Sequence, residues 1–372
     1  MKKILVSILA VAAIVGCSKA DITYDDQPQE IGLIPYSKKS VKSAVTGNDY
    51  PNTLNMYVFA QAGAPGETDL SKFTEPYFIN AEFNDKSVNP SAEVDESNGI
   101  FSGTAQPYYW PNIKRLIFSG ISKSGNVNAT TEAAVPTYAY NTEDSEWQIT
   151  LNGYAPGVGS ATLGDNDLMW FPTTTTSYSK DDIIGTDKAG HVDVTMLHAC
   201  SWITIKIKGD AITGANNTTW KIQNLTIESL AQSGNVILGD AAAWTPSSNT
   251  SPLAFYVNND DNIATNDGKA LTTSLVDYTQ LGNNCYDLVL VPQDVKYLTI
   301  KYNYISQTGL NPISEEKSIL LSYGKNSDGT EKAWQPGVHY TYNITIGTSE
   351  ILIEPTTTEW TTPDPAIPGI TL

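Results

Sequence analysis

Alternating apolar and polar positions near the C-terminus predict the most regular strand of the chain. Five apolar residues occupy every second position: Val338, Tyr340, Tyr342, Ile344 and Ile346. A period of two is typical of a strand with one buried face. A turn at residues 335–337 precedes this run, and Gly347 follows it. A second extended run covers residues 350–362, and the chain then ends in a tail that contains three prolines.

The same alternation recurs in shorter runs, the clearest at residues 54–60, 147–151 and 298–304. A longer run predicts one continuous middle strand from Val192 to Lys208. The first half of one of its faces is not polar, so we expect that face to pack against another part of the protein. This half-face consists of four residues: Met196, His198, Cys200 and Trp202.

No window of helical length shows a convincing period of 3.6 residues. Many short strands, with turns rich in Gly, Asn, Asp and Pro, indicate an all-β protein made of β-sandwiches. A length of 372 residues favours two domains of ordinary size.

Residues 1–16 have the composition of a signal peptide. Lys2 and Lys3 precede an apolar run at residues 4–15, which is shorter than the roughly 20 residues that span a bilayer. The run ends at Gly16-Cys17 and resembles a bacterial lipobox, in which a peptidase cuts before the cysteine and the thiol carries diacylglycerol. The alternative is an ordinary signal peptide followed by a chance cysteine.

Three short segments follow the signal peptide. Residues 18–29 are polar and acidic and are predicted to form a tether. Residues 30–36 are mainly apolar. A basic cluster of Lys38, Lys39 and Lys42 comes directly after them, which makes these lysines candidate sites of proteolytic processing.

The charge balance limits the partners of the protein. Asp and Glu number 40 against 22 Lys and Arg, which gives a formal net charge of −18. So acidic a surface repels nucleic acid and suits a solvated extracellular protein. Arg115 is the single arginine of the sequence, which leaves little scope for guanidinium-based phosphate recognition. We therefore predict no nucleic-acid partner.

Motifs for catalysis or metal binding are lacking in the sequence. The three histidines have no metal-ligand spacing, and there is no nucleophile elbow or phosphate loop. We predict no catalytic residue, no metal, no cofactor and no enzymatic activity, although a pair of carboxylates across a cleft, as in a glycosidase, would leave no motif. The acidic loops 258–267 and 326–331 could offer oxygen ligands to Ca²⁺, but we favour solvated turns because neither follows the calcium-loop register.

Two further features leave alternatives open. Cys200 and Cys285 could form one disulfide in an oxidising compartment or remain as two buried thiols. The adjacent rings of Tyr108, Tyr109 and Trp110 could form a sugar-stacking platform, but in a β protein such residues more often cap a core.

Several motifs together resemble the fimbrillin family of bacterial lipoproteins, the subunits of type V pili. They keep the family's order and cover most of the chain: the lipobox at Cys17, Tyr108-Tyr109-Trp110-Pro111, Leu116-Ile117-Phe118, Asp167-Leu168-Met169, residues 198–205, residues 290–293, Trp334 to Gly337, residues 340–344, and Trp360. The resemblance implies a non-enzymatic fimbrial subunit or adhesin that is exported as a lipoprotein precursor to the outer membrane and cell surface. Its implied partners are other pilus subunits, the membrane through the lipid anchor, and a host or bacterial receptor or glycan.

The resemblance also completes the predicted architecture. It implies two tandem β-sandwich domains, which we take to be of Greek-key type, with an N-terminal pro-segment and an extended C-terminal tail. We assign residues 1–16 to the signal peptide, 17–45 to the tether and pro-segment, 46–193 to the N-terminal domain and 194–372 to the C-terminal domain.

Assembly by strand exchange is the most specific expectation. We predict that residues 30–36 occupy an edge in the precursor and that cleavage within Lys38 to Lys42 frees them. A neighbour's C-terminal segment from Ile351 to Trp360, with Ile353 among its apolar residues, would then fill the groove. The alternative is a permanent edge strand, with the tail in its own subunit's sheet. The sequence departs from the family's best-known stalk subunits, which are cut after arginine, because no arginine precedes Arg115.

A second function remains open at this point. A carbohydrate-binding lipoprotein of a glycan-uptake system would share the lipobox, the acidity and the β-sandwiches. A pilin needs an exchangeable C-terminal strand, whereas a glycan binder needs an exposed aromatic platform.

Overall fold

The computed structural model describes residues 28–37, 55–85, 100–123, 136–156, 167–183, 191–210, 219–258, 269–279, 288–305, 313–347 and 350–359. The predictions for Cys17, for the lysine cluster 38–42, for Cys285 and for Trp360 lie outside these residues.

The described residues form twenty-one strands, one short helix and one 3₁₀ turn, which confirms the all-β prediction. The helix is α1 (Lys180–Ile183), and the 3₁₀ turn covers Leu70–Lys72. The strands are β1 (Gly32–Ser37), β2 (Asn55–Gly63), β3 (Glu75–Asp85), β4 (Phe101–Gly103), β5 (Arg115–Lys123), β6 (Thr137–Asn141), β7 (Glu146–Tyr154), β8 (Met169–Phe171), β9 (His191–His198), β10 (Ser201–Gly209), β11 (Thr219–Ala231), β12 (Gly234–Leu238), β13 (Ala242–Pro246), β14 (Thr250–Val257), β15 (Lys269–Ala270), β16 (Val276–Asp277), β17 (Leu288–Leu290), β18 (Tyr297–Ile305), β19 (Ile313–Leu320), β20 (Val338–Ile346) and β21 (Ile351–Glu359). Within the described ranges, no helix is long and apolar enough to cross a membrane.

Seven strands of the first half close into a barrel in the order β1-β4-β3-β2-β5-β8-β9. Inward side chains of these strands form one apolar core, which includes Leu33, Val58, Phe83, Phe118 and Met196. A closed sheet has no free edge, so every strand of the barrel has a neighbour on both sides.

Two sheets of the second half face each other. One has the order β16-β10-β20-β21, with β17 also paired to β10, and the other has the order β14-β11-β18-β19, with β15 also paired to β11. Alternate side chains from both sheets meet in the largest core cluster, among them Ile205, Ile222, Ile300 and Tyr342. This is the two-layer packing expected of a β-sandwich.

The remaining sheet, β13-β12-β7-β6, joins the two halves of the chain, because β7 pairs with β12. It covers a second core in which Phe59 and Trp170 from barrel strands meet Trp202 from β10. The predicted boundary at 193/194 falls inside β9, which pairs with β1 over residues 191–196. The division into two tandem sandwiches therefore stays a prediction.

The predicted continuous strand from Val192 to Lys208 is wrong, because the chain changes sheets in the middle of it. β9 belongs to the barrel and β10 to the β10-β20 sheet. At the break, the Ala199 amide donates to the Leu168 carbonyl (2.8 Å) and the Cys200 carbonyl accepts from the Gly337 amide (2.8 Å). The expectation that this region packs against another part of the protein is confirmed, since Cys200 and Trp202 lie in the core between the halves.

Candidate assembly site

The first strand is built into the barrel wall. β1 runs parallel to β9 over six residue pairs, from Gly32 opposite His191 to Ser37 opposite Met196. On its other side, Leu33 pairs with Phe101 of β4. The expectation that residues 30–36 lie at an edge is therefore wrong, because barrel closure places a strand on each side of them.

The side chains of β1 alternate as the sequence predicts, with one face directed into the core. Ile31 and Leu33 are fully buried, and Pro35 is buried as well. Ile34, on the other face, is half-buried. Complete burial of one aliphatic side chain stabilises a fold by about 1.5–3 kcal/mol. Removal of β1 would thus open an apolar groove between β4 and β9.

Gly32 is the position at which β1 approaches β9 most closely. A Cβ atom there would lie 2.2 Å from Cδ2 of His191 and 2.9 Å from Cγ2 of Ile100. Glycine within a strand commonly marks such an approach. Any other residue at this point of the groove requires the His191 ring to rotate.

The segment before β1 is hydrogen-bonded to the aromatic block at residues 107–111. The Ile31 amide donates to the Tyr108 carbonyl (2.7 Å), and the Trp110 amide donates to the Gln29 carbonyl (2.9 Å). Trp110 is buried and packs edge-on against Phe118. The block thus extends the wall of the β1 groove.

This arrangement decides between the two interpretations of the aromatic block. Trp110 belongs to the barrel core, and Tyr108 is half-buried against Phe83 with nearly parallel rings. Tyr109 is 43% exposed, but its two neighbours point inward, so the three rings form no shared platform. The block caps a core, as the sequence analysis favours.

The second strand of interest is β21, at the edge of the β16-β10-β20-β21 sheet. It pairs antiparallel with β20 from Ile351 opposite Ile346 to Glu359 opposite Val338. Ile351 and Ile353 are partly buried against the core of the second half, while Leu352 is 51% exposed. In this structure residues 351–359 of the candidate donor segment therefore lie in their own subunit's sheet, and two of these nine residues anchor them to the core.

The second half of β21 is weakly packed. Residues 354–359 are exposed, and the last three of them line a pocket of about 620 Å³ together with Tyr323 and Tyr340. Few buried apolar contacts and exposed hydrogen bonds are the physical signs of a segment with low local stability. β21 is thus an edge strand whose second half is held mainly by its backbone pairing with β20.

A cluster of buried polar side chains lies where the two halves meet. Nδ1 of His198 is hydrogen-bonded to a carboxylate oxygen of Asp167, and both side chains are almost fully buried. Burial, together with the nearby Asp167 carboxylate, raises the pKa of the Cys200 thiol well above its ordinary value. Burial does the same for Tyr154, with smaller contributions from Cys200 and Asp167. The thiol is therefore protonated and unreactive at neutral pH.

The candidate calcium loop at residues 258–267 lies outside the described ranges except for Asn258. Among the residues described, no group of three His, Cys, Asp or Glu side chains could hold a metal ion. In the loop 326–331, Asp328 accepts hydrogen bonds from the amide and hydroxyl of Thr330, as in a self-contained turn. Cys200 forms no disulfide with any described residue, and a bridge to Cys285 stays a prediction because Cys285 lies outside the described ranges.

Sequence reasoning missed two parts of this site. It did not identify the contacts of residues 108–110 with residues 29–31, since those pairs are far apart in the sequence. It also passed over Gly32, although a glycine inside an apolar strand is a usable signal for close approach of another backbone or ring.

The chain was compared with protein families, with curated proteins and with solved structures. The model of a family described as fimbrillin-like matches residues 33–360. No sequence among the curated proteins matches the chain. A fimbrial protein from Bacteroides vulgatus has a TM-score of 0.54 at 15% identity, covering 88% of this chain and 99% of that one. This likeness shows a shared fold.

Two other solved structures match with lower scores. A putative cell adhesion protein from Bacteroides uniformis gives a TM-score of 0.48 at 14% identity, over 89% of this chain and 99% of that one. The tip fimbrial protein Mfa3 from Porphyromonas gingivalis, with a C-terminal truncation, gives a TM-score of 0.37 at 9% identity. The match covers 90% of this chain and 100% of that one.

Proposed function

The chain belongs to the fimbrillin-like family, and on that premise we propose that it is a structural subunit or adhesin of type V-like fimbriae. In this proposal it is exported as a lipoprotein, anchored to the outer membrane through Cys17 and assembled by strand exchange. Its partners are other pilus subunits, and its role is adhesion at the cell surface.

The burial of β1 between two strands is the observation that carries the proposal. Ile31 and Leu33 together stabilise the barrel by about 3–6 kcal/mol through burial. A barrel without β1 exposes both this apolar floor and the unpaired backbone groups of β9. Such an edge recruits another strand, as in other cases of β-strand addition.

The spacing of apolar residues in β21 supports it as the donor. Ile31, which directly precedes β1, and Leu33 and Pro35 within it are separated by single residues, and Ile351, Ile353 and Pro355 of β21 have the same spacing. A β21 strand inserted in this register would place Ile, Ile and Pro where Ile, Leu and Pro lie now. Leu352 would then occupy the Gly32 position, so the His191 ring has to rotate.

The position of the lysine cluster supports proteolytic release. Lys38, Lys39 and Lys42 follow the end of β1 within five residues. Cleavage there separates β1 from the barrel while leaving β2 and the later strands on one chain. Protease specificity for lysine rather than arginine is part of the proposal.

A controlled cut after β1 tests this function. We would replace residues 38–42 by the recognition sequence of a site-specific protease in a chain that begins after Cys17. After cleavage, size-exclusion chromatography with light scattering should show β1 leaving and oligomers growing with protein concentration. The uncut protein should stay monomeric, and a cut variant truncated after Gly347 should form no oligomers.

Two results would refute strand exchange. One is a cut protein that has lost β1 and still remains monomeric at high concentration. The other is a monomer that unfolds when it is truncated after Gly347, since β21 would then be indispensable to its own subunit.

A further inference from the structure

A groove of about 390 Å³ lies in the second half of the chain and shares two lining residues, Ala333 and Gln335, with the pocket at the end of β21. Its walls are β13 and the start of β14, the loop from Pro292 to Lys296, and the turn from Ala333 to Pro336. Three prolines and a tryptophan supply its larger apolar surfaces: Pro246, Pro292, Pro336 and Trp244.

Trp244 is held in a fixed orientation in this groove. Its indole nitrogen donates to the Ala199 carbonyl (2.6 Å), and its ring lies 6.2 Å from that of Tyr154. The ring is only partly buried. A rigid, partly exposed indole beside prolines is the type of surface that binds an extended, proline-rich segment.

The register of β21 indicates which segment of the chain could reach the groove. The last pair joins Glu359 to Val338. Continued antiparallel to the chain before β20, the next residues of the tail would pass Gly337, Pro336 and Gln335. Two of these three residues line the groove. A tail that continued in this register would therefore pass along one wall of the groove.

The chemistry of the tail matches the groove. The thirteen residues after Glu359 include Pro363, Pro365 and Pro368. Thirteen extended residues reach about 40 Å. The one acidic side chain of this tail is Asp364. On the groove wall, the Lys296 ammonium has no ion-pair partner among the described residues, and the exposed Asp294 lies on the same wall.

From this geometry we infer that residues 361–368 dock in the Trp244 groove of their own subunit as an extended, polyproline-like segment, with Asp364 beside Lys296. The docked tail holds the weakly packed end of β21 in place. The inference concerns the isolated subunit, and it stands or fails independently of strand exchange.

A charge-exchange experiment tests this docking. The protein is truncated after Glu359, and a fluorescein-labelled peptide of residues 361–372 is titrated with it in an anisotropy assay. We expect saturable binding that Lys296→Glu weakens about fivefold, since a partly exposed ion pair contributes up to about that factor. A peptide with Asp364→Lys should recover binding to Lys296→Glu, as the two changes form a double-mutant cycle.

Two controls complete the design. Lys301→Glu, at an exposed lysine of β18 outside the groove, should leave binding unchanged. The chain with its tail should bind the peptide at least about tenfold more weakly, because a tethered segment competes at millimolar effective concentration.

Three outcomes would overturn the inference. The first is that about 1 mM peptide shows no binding to the truncated protein. The other two are that the peptide binds the Lys296→Glu variant, or the chain that keeps its tail, as tightly as it binds the truncated protein. Equal binding to Lys296→Glu would place the peptide at another surface. Equal binding to the chain with its tail would show the groove open to a neighbour's tail or another ligand.

Discussion

Leu33→Ala probes the burial of β1 in the uncut protein. Leu33 is fully buried in the barrel core and pairs with Phe101 of β4 and Val192 of β9. Truncation to alanine removes the apolar contacts of the isobutyl group and leaves a cavity that the closed barrel cannot easily collapse. Leucine-to-alanine changes at such sites cost about 2–5 kcal/mol of unfolding free energy.

The same chemical change at an exposed site supplies the matched control. Leu352 of β21 is 51% exposed, so Leu352→Ala should change the unfolding free energy by less than about 0.5 kcal/mol. Urea unfolding followed by tryptophan fluorescence measures both variants. Trp110 reports on the barrel, because its amide is hydrogen-bonded to the segment before β1. With a slope of about 2 kcal/mol per molar urea, Leu33→Ala should lower the barrel midpoint by about 1 M or more.

The comparison of the two variants has a clear refuting result. If Leu33→Ala shifts the midpoint no more than Leu352→Ala, β1 is not packed in the barrel in solution. The apolar groove on which strand exchange depends would then not exist.

Three further predictions concern other parts of the chain. Burial, and to a smaller extent Lys206, lowers the pKa of His339 from 6.5 to about 4, so between these values the unfolded chain binds a proton that the folded chain does not. The unfolding free energy in urea should therefore fall by about 2–3 kcal/mol from pH 7 to pH 4, and His339→Gln should largely remove this pH dependence. The buried side-chain amide of Gln293 accepts a hydrogen bond from the Ala231 amide and donates to the carbonyls of Ala231 and Val291. Gln293→Ala removes all three bonds, and urea unfolding should show an unfolding free energy lower by about 2–3 kcal/mol. Cys17→Ala should abolish detergent partitioning of the exported protein, and unchanged partitioning would remove the basis for the lipid anchor.

The alternation of apolar residues predicted the strands where each strand has one buried face. It placed β20 within the bounds that the structure gives, and it placed an extended run over β21. A period of two carries no information about which strands are neighbours. The parallel pairing of β1 with β9 joins residues about 160 positions apart, and local sequence could not predict it.

The failed prediction at residues 192–208 has a specific physical cause. The break between β9 and β10 is two residues long, Ala199 and Cys200. The buried residues of β9 in the barrel core lie at even positions, whereas Ile203, Ile205 and Ile207 of β10 lie at odd positions in the sandwich core. Residues 199–205 are all buried, so the sequence between the two strands is largely apolar on both faces and hides this change of phase.

The direction of the proposed exchange follows from how differently the two competing strands are held. Before cleavage, β1 is covalently attached beside its own groove, so a donor from another subunit competes against a very high effective concentration. Ile351 and Ile353 are partly buried in β21 and would be fully buried in the β1 groove, a gain of about 1 kcal/mol each. That gain is too small to displace an attached β1 and also offset the loss of freedom on association. Cleavage makes β1 a separate peptide that dilutes away. Burial of the donor's apolar side chains in the empty groove then stabilises the joint without having to displace an attached strand. The proteolytic step, rather than a better fit of the donor, would set the moment at which subunits join.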